Sequence, residues 1–215
     1  MVRVHLPAPF LEDSMKPKLS ILLTCYNKEK YIPYNLEILK TSLTDDVELH
    51  IYDDASTDNS VQVIEQVLSD YQGTNIYKHY NQINKGIGFI REQALNDANG
   101  EYFIFIDGDD LITENYVDKI LSYIEDTSVI IHQFIVRLYP LGGTVLWSNP
   151  VWDKVININY VKEHNLHFNI NKRSGEDLEF TDNLHKLRPK SLLHEDVLYI
   201  YNLATENSLT REGPV

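Results

Sequence analysis

Short apolar runs alternate with amphipathic segments from Lys18 onward, a pattern typical of proteins that alternate strands and helices. Four runs predict strands, of which the third is the weakest, and the fourth is apolar on both faces, as expected inside a covered parallel sheet. The strand runs are 19–23, 47–52, 76–80 and 102–106. Between them, apolar residues recur at spacings of three and four, which predicts helices. These stripes are Ile32, Leu36, Leu39 and Leu43; Val61, Ile64 and Leu68; and Ile90, Ala94 and Ala98. We therefore predict a doubly wound α/β fold, with a mainly parallel central sheet flanked by helices.

The pattern is weaker beyond the fourth strand. Thr113 is expected to cap a helix there, as Asp58 is expected to cap the helix after the second strand. Further strands are predicted at 129–138, 144–147 and 197–201, and further helices around 117–124, 160–164 and 176–187. No repeat or linker marks a second domain, so residues 15–215 are expected to form one domain. Residues 1–14 are expected to be a leader outside it, either disordered or added to the natural chain.

Composition and charge narrow the function classes. The chain has 215 residues and a formal net charge of −13, from 19 Lys and Arg against 32 Asp and Glu. Such an acidic surface argues against nucleic acid and anionic lipid as partners, because both are bound mainly through basic patches. The single cysteine, Cys25, excludes an internal disulfide and a multi-cysteine metal site, and favours a reducing compartment. No apolar run approaches the ~18 residues needed to span a bilayer, so a cytoplasmic protein is expected.

Polar, turn-forming segments follow each of the four predicted strands. They are 24–27, 53–58, 84–88 and 107–110. In an open parallel sheet, ligands bind beyond the carboxyl ends of the strands, where the strand order reverses. Each segment alone is an ordinary loop, but the four together predict one pocket.

The segment Asp107-Gly-Asp-Asp110 carries the most chemical information. Three carboxylates within four residues repel one another strongly unless a cation lies among them. Oxygen ligands without His or Cys suit Mg²⁺ or Mn²⁺, which share their coordination with substrate phosphates. Two alternatives stay open: a solvated acidic turn, and a phosphatase of the haloacid-dehalogenase type. The phosphatase motif normally ends the first strand of its domain, whereas three strand–helix units precede this one.

Two further segments offer nucleotide-binding groups. Acidic residues after a second strand commonly bind a nucleoside hydroxyl or base edge. Asp58 is expected to serve a turn and a helix cap, whereas Asp54 is expected to have no such duty and is the better ligand. In 84–88, two glycines and Lys85 precede a predicted helix, with Arg91 one turn inside it.

Several blocks together resemble the signature of a known family. They are 19–27, 53–60, 84–91, 100–110, 152–154 and 175–177. Their order and spacing resemble those of the bacterial family-2 glycosyltransferases, over about residues 18–211. The resemblance implies a GT-A fold of the nucleotide-diphospho-sugar transferase type, with 18–110 as the nucleotide-binding half and 111–215 as the acceptor-side half. It also implies inverting transfer of a sugar from a nucleotide diphosphate, foremost a UDP-sugar, to a hydroxyl of a glycan, glycolipid or glycoprotein.

The resemblance also implies roles for individual residues. Thr24, Tyr26 and Asp54 would hold a uracil-type base; Lys85 and Arg91 would border the nucleotide; Asp107 would lie near the ribose and the metal; Asp109 would bind Mn²⁺ or Mg²⁺; and Asp177 would be the general base. Two departures stand out: Asp153 occupies a position where Asn is commoner, and the chain ends soon after Arg211. The second departure implies a truncated catalytic core, with association at the inner face of the membrane through further segments.

Rival interpretations remain for several of these residues. Ser174-Gly-Glu-Asp177 is a capping-box pattern, so Asp177 is also a candidate for a purely structural role at a helix start. His194 is either a further metal or phosphate contact or a surface histidine. Trp147 and Trp152 either stack on a sugar or pack in the core, and Tyr199 and Tyr201 are expected to be packing residues. Two other functions stay open: a phosphatase with Asp107 as nucleophile, and an inactive nucleotide-sugar-binding module.

Overall fold

The computed structural model describes residues 16–145 and 150–204. The expected leader at 1–14, Trp147 and Arg211 lie outside these residues. Within these described residues, no helix is both long and apolar enough to cross a bilayer.

The four apolar runs form four neighbouring parallel strands, as predicted. These are β1 (Leu19–Cys25), β2 (Val47–Asp53), β3 (Ile76–Tyr80) and β4 (Tyr102–Asp107), in the spatial order β3-β2-β1-β4. The three apolar stripes form the connecting helices α1 (Ile32–Ser42), α2 (Ser60–Val67) and α3 (Ile87–Asp97). Every residue of β1 and β2 is buried, because helices cover the sheet on both faces.

The strand order reverses beside β1. The chain moves outward from β1 to β2 and β3, and then returns to place β4 on the other side of β1. Thr24 near the end of β1 pairs in register with Asp107 at the end of β4. The crevice between the two diverging connections therefore opens at the carboxyl ends of β1 and β4.

The second half of the chain extends this sheet with shorter strands. Its elements are β5 (Leu111–Ile112), α4 (Tyr116–Tyr123), β6 (Ile131–Tyr139), β7 (Thr144–Val145), β8 (Lys154–Asn157), α5 (Ile158–Glu163), α6 (Glu176–Lys186) and β9 (Ser191–Asn202). The order continues from β4 through β8, β6 and β9 to β5. Because β8 runs antiparallel to both β4 and β6, the complete sheet is mixed, and only the part formed by β1 to β4 is purely parallel.

Two predicted helix caps are wrong by one or two positions. The N-cap of α2 is Asn59, and Asp58 instead accepts hydrogen bonds from the Ser60 N–H and the Glu29 N–H. The N-cap of α4 is Asn115, to whose side chain the Thr113 hydroxyl donates at 2.9 Å. In both cases the predicted residue stabilises the turn that leads into the helix, so the sequence located the turn and misplaced the cap.

Aromatic packing holds α6 against the central sheet. The ring of Phe168 stacks on Phe180 of α6 at 4.1 Å between centroids, and it meets Phe105 of β4 edge-on at 5.5 Å. All three rings are buried. Edge-to-face and offset contacts of this kind stabilise by more than their buried area alone. The first turn of α6 is thereby fixed beside the carboxyl end of β4.

Candidate active site

Asp107 is the last residue of β4 and lies in the crevice. The Arg91 guanidinium donates to both of its carboxylate oxygens, at 2.8 and 3.0 Å, and the Thr24 hydroxyl donates to one of them at 3.1 Å. Its backbone N–H donates to the Tyr199 hydroxyl at 3.1 Å. Bonds from α3 and β1 therefore fix the side chain, of which 23% remains exposed, and the bond to β9 fixes the backbone.

Asp109 extends from the same turn toward a different partner. The Lys28 ammonium lies 2.8 Å from its Oδ2 atom, and both side chains are largely covered, with 14% and 18% exposed. Gly108 lies between the two acids, and a Cβ there would come within 2.6 Å of the Thr24 carbonyl oxygen. Only glycine fits at this position, where the turn passes close to the β1 backbone.

Asp110 is buried and ties the turn to other elements. It accepts hydrogen bonds from the Tyr199 hydroxyl and the Asn202 N–H, both at 2.8 Å, and its own carbonyl accepts one from Asn35 of α1. Burial, together with the charges of Asp109 and Asp107, raises the pKa of Asp110 well above its usual range. Asp110 is therefore a structural anchor for the turn.

The repulsion among Asp107, Asp109 and Asp110 is offset by groups of the protein, which the sequence did not reveal. Asp107 and Asp109 each have a cation beside them, but the cations are protein side chains, Arg91 and Lys28. The third acid is stabilised by hydrogen bonds to neutral groups. Protein groups alone therefore stabilise the turn, and the crowding of its acids does not by itself require a metal ion.

Arg91 connects the end of β4 to the start of α6. Besides Asp107, it bonds to the Glu176 carboxylate and lies 3.7 Å from the nearer oxygen of Asp177. Only 3% of the residue is exposed. Burial alone would lower the pKa of Arg91, but the three surrounding carboxylates outweigh burial and raise it. Arg91 is therefore a permanent cation behind the site, and the structure places it under the carboxylates rather than on an open nucleotide surface.

Asp177 lies in the first turn of α6, where the sequence places it. The capping box is not formed as predicted: the N-cap is Gly175, in a left-handed conformation with φ 70°, and not Ser174. The Asp177 carboxylate accepts a hydrogen bond from the next residue's N–H at 2.9 Å, and 16% of the side chain is exposed. One carboxylate oxygen thus has a backbone donor, while the other faces Arg91. The general-base role stays a prediction.

Asp54 has a structural duty that the sequence analysis denied it, so that part of the expectation is wrong. Its buried carboxylate accepts hydrogen bonds from Asn81, from the Lys85 N–H and from the Gly86 N–H, at 2.8 to 2.9 Å. These donors belong to the loop between β3 and α3. Asp54 therefore shapes that loop, and its predicted role toward a base remains untested.

Comparison with known proteins identifies the family. The protein-family model described as "Glycosyl transferase family 2" matches residues 20–188. The chain belongs to glycosyl transferase family 2. Among curated relatives, it is 32% identical over 130 residues to the putative glycosyltransferase EpsH of Bacillus subtilis. The aligned segment covers 60% of this chain and 37% of EpsH. This family-2 chain therefore spans little more than a third of that relative.

Solved structures of low sequence identity share the GT-A fold. Residues 1–349 of S. aureus TarS, in complex with UDP-GlcNAc, match with a TM-score of 0.78 at 22% identity, covering 90% of this chain and 61% of that one. The mannosyltransferase PcManGT of Pyrobaculum calidifontis, in complex with GDP-Man and Mn²⁺, matches with a TM-score of 0.70 at 14% identity, covering 89% and 59%. At these identities the likeness establishes the fold, and the predicted GT-A architecture is confirmed.

The carboxylates of the acidic turn suit a metal ion that is also bound by the substrate's phosphates. Among the residues that the structure describes, no three His, Cys, Asp or Glu side chains converge on a point that could hold a metal. Mg²⁺ and Mn²⁺, however, are commonly held by one or two carboxylates, with the other ligands supplied by water and substrate phosphates. Asp109 fits that role, because its partner is a single lysine on a flexible stem. Asp107 is committed to Arg91 and Thr24.

The predicted base-binding residues lie on two neighbouring loops. Tyr26, directly after β1, is 44% exposed and can stack on a base, whereas Thr24 is buried and bonds to Asp107. The Lys85 ammonium lies 4.3 Å above the ring of Phe89. Of the three residues predicted to hold the base, Tyr26 is exposed, whereas Thr24 and Asp54 are buried.

The remaining candidates are structural in the described chain. Trp152 is buried and stacks on Tyr199 and Tyr201, at 5.0 and 5.2 Å between ring centroids, so the core interpretation is confirmed. His194 stacks on Tyr123 at 3.5 Å and bonds to His132, and it lies five residues before Tyr199, roughly 16 Å along β9. Its own partners account for it without a metal or phosphate.

Asp153, which departs from the commoner Asn, is fully buried. Its carboxylate pairs with Lys154 at 2.6 Å and accepts a hydrogen bond from Gln133 at 2.9 Å. Burial raises the pKa of Asp153 and lowers that of Lys154. The departure therefore adds a buried ion pair at the start of β8.

Sequence reasoning missed the residues that hold the site together. These are Lys28, Asn35, Glu176, Tyr199 in its hydrogen-bonding role, and Asn202. Lys28 directly follows the predicted 24–27 segment, and Glu176 directly precedes Asp177, so adjacency to a candidate was the one local signal for both.

Proposed function

We propose that this chain transfers a sugar from a nucleotide diphosphate donor to an acceptor hydroxyl, with inversion at the anomeric carbon and dependence on a divalent cation. The observation that carries the proposal is the bridge made by Arg91. One guanidinium joins Asp107, at the predicted nucleotide end of the site, to the first turn of α6 with Asp177. The predicted donor-binding and proton-accepting groups thereby lie on one rigid unit.

The donor would enter at the carboxyl edge of β1 and β4. Tyr26 is exposed there and would stack on the base, next to the turn that carries Asp107 and Asp109. The complexes of TarS with UDP-GlcNAc and of PcManGT with GDP-Man support a nucleotide-sugar donor for this fold. A UDP-sugar is the donor we propose first, with a hydroxyl of a glycan, glycolipid or glycoprotein as acceptor and the cytoplasm as location.

Asp109 would hold the cation, Mn²⁺ or Mg²⁺, together with the donor's phosphates. When bound, such a cation offsets the charge that develops on the departing nucleotide diphosphate. Asp107 would orient the ribose side of the donor, since Arg91 and Thr24 fix its position. These two residues divide the work: one carboxylate is held rigid, and the other can exchange its partner.

Asp177 would accept the proton of the acceptor hydroxyl as that oxygen attacks the anomeric carbon from the face opposite the leaving group. The carboxylate lies in the first turn of α6, 3.7 Å from Arg91, and the Leu178 N–H donates to one of its oxygens. Its 16% exposure leaves the side chain open to an acceptor while the aromatic packing of α6 fixes its place.

A nucleotide-release assay tests the proposal. A panel of UDP- and GDP-sugars is incubated with the chain and a mixture of acceptors, in Mn²⁺, in Mg²⁺ or in chelator. The proposal expects release of the nucleoside diphosphate with one donor, and loss of turnover in chelator. Release of inorganic phosphate with a trapped aspartyl phosphate would favour the phosphatase, and donor binding without hydrolysis or transfer would favour the inactive module.

A further inference from the structure

Lys28 is held in place by its backbone. Its N–H donates to the Ser60 hydroxyl at 2.8 Å, and its carbonyl oxygen accepts from the Ile32 N–H at 3.1 Å, at the first residue of α1. The stem then crosses the acidic turn: its Cγ lies 3.5 Å from where a Cβ on Gly108 would be. The ammonium ends 2.8 Å from Asp109. The backbone is rigid, so only rotation of the stem can move the charge.

Two other cations near this edge, Arg91 and Lys85, have partners of their own. Arg91 is buried and bonded to carboxylates on two elements. Lys85 rests on an aromatic ring one loop away. Lys28 has one carboxylate partner, some access to solvent, and a position directly over the turn that would carry the metal and the phosphates.

We propose that Lys28 is a phosphate-binding residue of the site, which Asp109 holds in readiness until the donor arrives. This inference rests on the proposed function, because it assumes that a nucleoside diphosphate binds at this turn. On donor binding, Asp109 exchanges the ammonium for the divalent cation, and the stem of Lys28 rotates its ammonium onto a phosphate oxygen. A lysine suits this exchange, since its ammonium is a compact charge with three rotatable donors on a flexible stem.

The exchange has two consequences of opposite sign. In the free protein, Lys28 competes with a metal ion for Asp109, so its removal strengthens binding of the metal alone. In the complex, Lys28 contacts the diphosphate, so its removal weakens binding of UDP but not of uridine, which has no phosphate. A residue that merely stabilised the turn would not produce opposite effects on the two ligands.

The test compares wild type with Lys28→Met, which keeps most of the stem and removes the charge. Binding of Mn²⁺ to the free protein is followed by electron paramagnetic resonance, and binding of UDP and of uridine by calorimetry in the presence of Mn²⁺. We expect Lys28→Met to bind Mn²⁺ about fivefold more tightly, the scale of one partly exposed ion pair. We expect UDP to bind about tenfold more weakly, as for loss of one charged hydrogen bond, and uridine to bind unchanged.

Two control variants accompany it. Lys78→Met removes a lysine that pairs with Glu65 at 2.6 Å on the outside of the sheet, and it should alter neither ligand. Lys28→Arg keeps the charge and should retain most of the UDP affinity. If Lys28→Met leaves Mn²⁺ affinity unchanged, or weakens UDP and uridine alike, the assignment of Lys28 is wrong. If wild type itself fails to bind UDP, the proposed function is wrong as well.

Discussion

Replacement of Arg91 by methionine tests how the site is held together. The residue is 3% exposed and lies against Asp107, Glu176 and Asp177. Methionine fills a similar volume but leaves these carboxylates without their cation. Removal of one partner from a buried ion pair costs about 3–5 kcal/mol, because the remaining charge stays buried and unpaired. At about 2–4 °C of melting temperature per kcal/mol for a chain of this size, the expected loss is roughly 6–20 °C.

The assay is guanidinium unfolding at pH 7, with Arg137→Met as the matched control. Arg137 is exposed on β6, so its replacement should change the free energy of unfolding by less than about 0.5 kcal/mol. The double variant Arg91→Met/Glu176→Met should recover part of the loss, since it removes one of the stranded buried charges. A loss below about 1 kcal/mol for Arg91→Met, or no recovery in the double variant, would refute the role of Arg91 as the link between β4 and α6.

Three further predictions concern catalysis, acid stability and packing. Asp177→Asn should lower turnover by ~10²–10⁴-fold and leave donor affinity unchanged, as measured by kinetics and calorimetry. The control is Asp182→Asn, at an exposed position of α6. A collapse of donor affinity in Asp177→Asn would show that the role of Asp177 is structural. Burial raises the pKa of Glu48, but the His50 ring nitrogen 3.3 Å away and hydrogen bonds from the Ser20 hydroxyl and the Asn99 N–H outweigh it and lower the pKa to about 2. Because the folded pKa is below the usual 4.5, this stabilisation is complete above pH 4.5 and is lost as the pH falls toward 2. Glu48→Gln should therefore reduce the fall in the free energy of unfolding between pH 4.5 and pH 2 by up to about 3 kcal/mol. An unchanged fall over this pH range would contradict the assignment. Gly88→Ala should cost about 1–3 kcal/mol in urea unfolding, since a Cβ would lie 2.3 Å from the Asn169 carbonyl oxygen and 2.7 Å from that of Lys172; wild-type stability would mean that this segment is free to move away.

Local patterns predicted the parallel half of the fold and the edge where the site lies. The apolar runs of β1, β2 and β4 are buried along almost their whole length, so hydrophobicity alone identified them. Strand β8 has four residues and β5 has two, which is too short for a period to be recognised. These two strands were missed for that reason, whereas the longer β6 and β9 were predicted.

The partners of the site residues could not be predicted, because they come from distant parts of the chain. Lys28 and Asp109 are 81 residues apart, and Arg91 and Glu176 are 85 apart. No spacing rule connects such positions before the fold is known. The charge argument on the acidic turn predicted a divalent metal ion, which stays a prediction, and it could not anticipate that Lys28 and Arg91 pair with these carboxylates. The same limit applies to Asp54, whose donors lie 27 to 32 residues away.

The most direct test of the account is a crystal of this chain soaked with UDP and Mn²⁺, examined by anomalous diffraction at the manganese edge. The account predicts a manganese peak bonded to Asp109 and to the diphosphate, with the uracil ring against Tyr26 at the carboxyl edge of β1 and β4. A manganese peak away from this turn, or UDP bound elsewhere on the molecule, would contradict it.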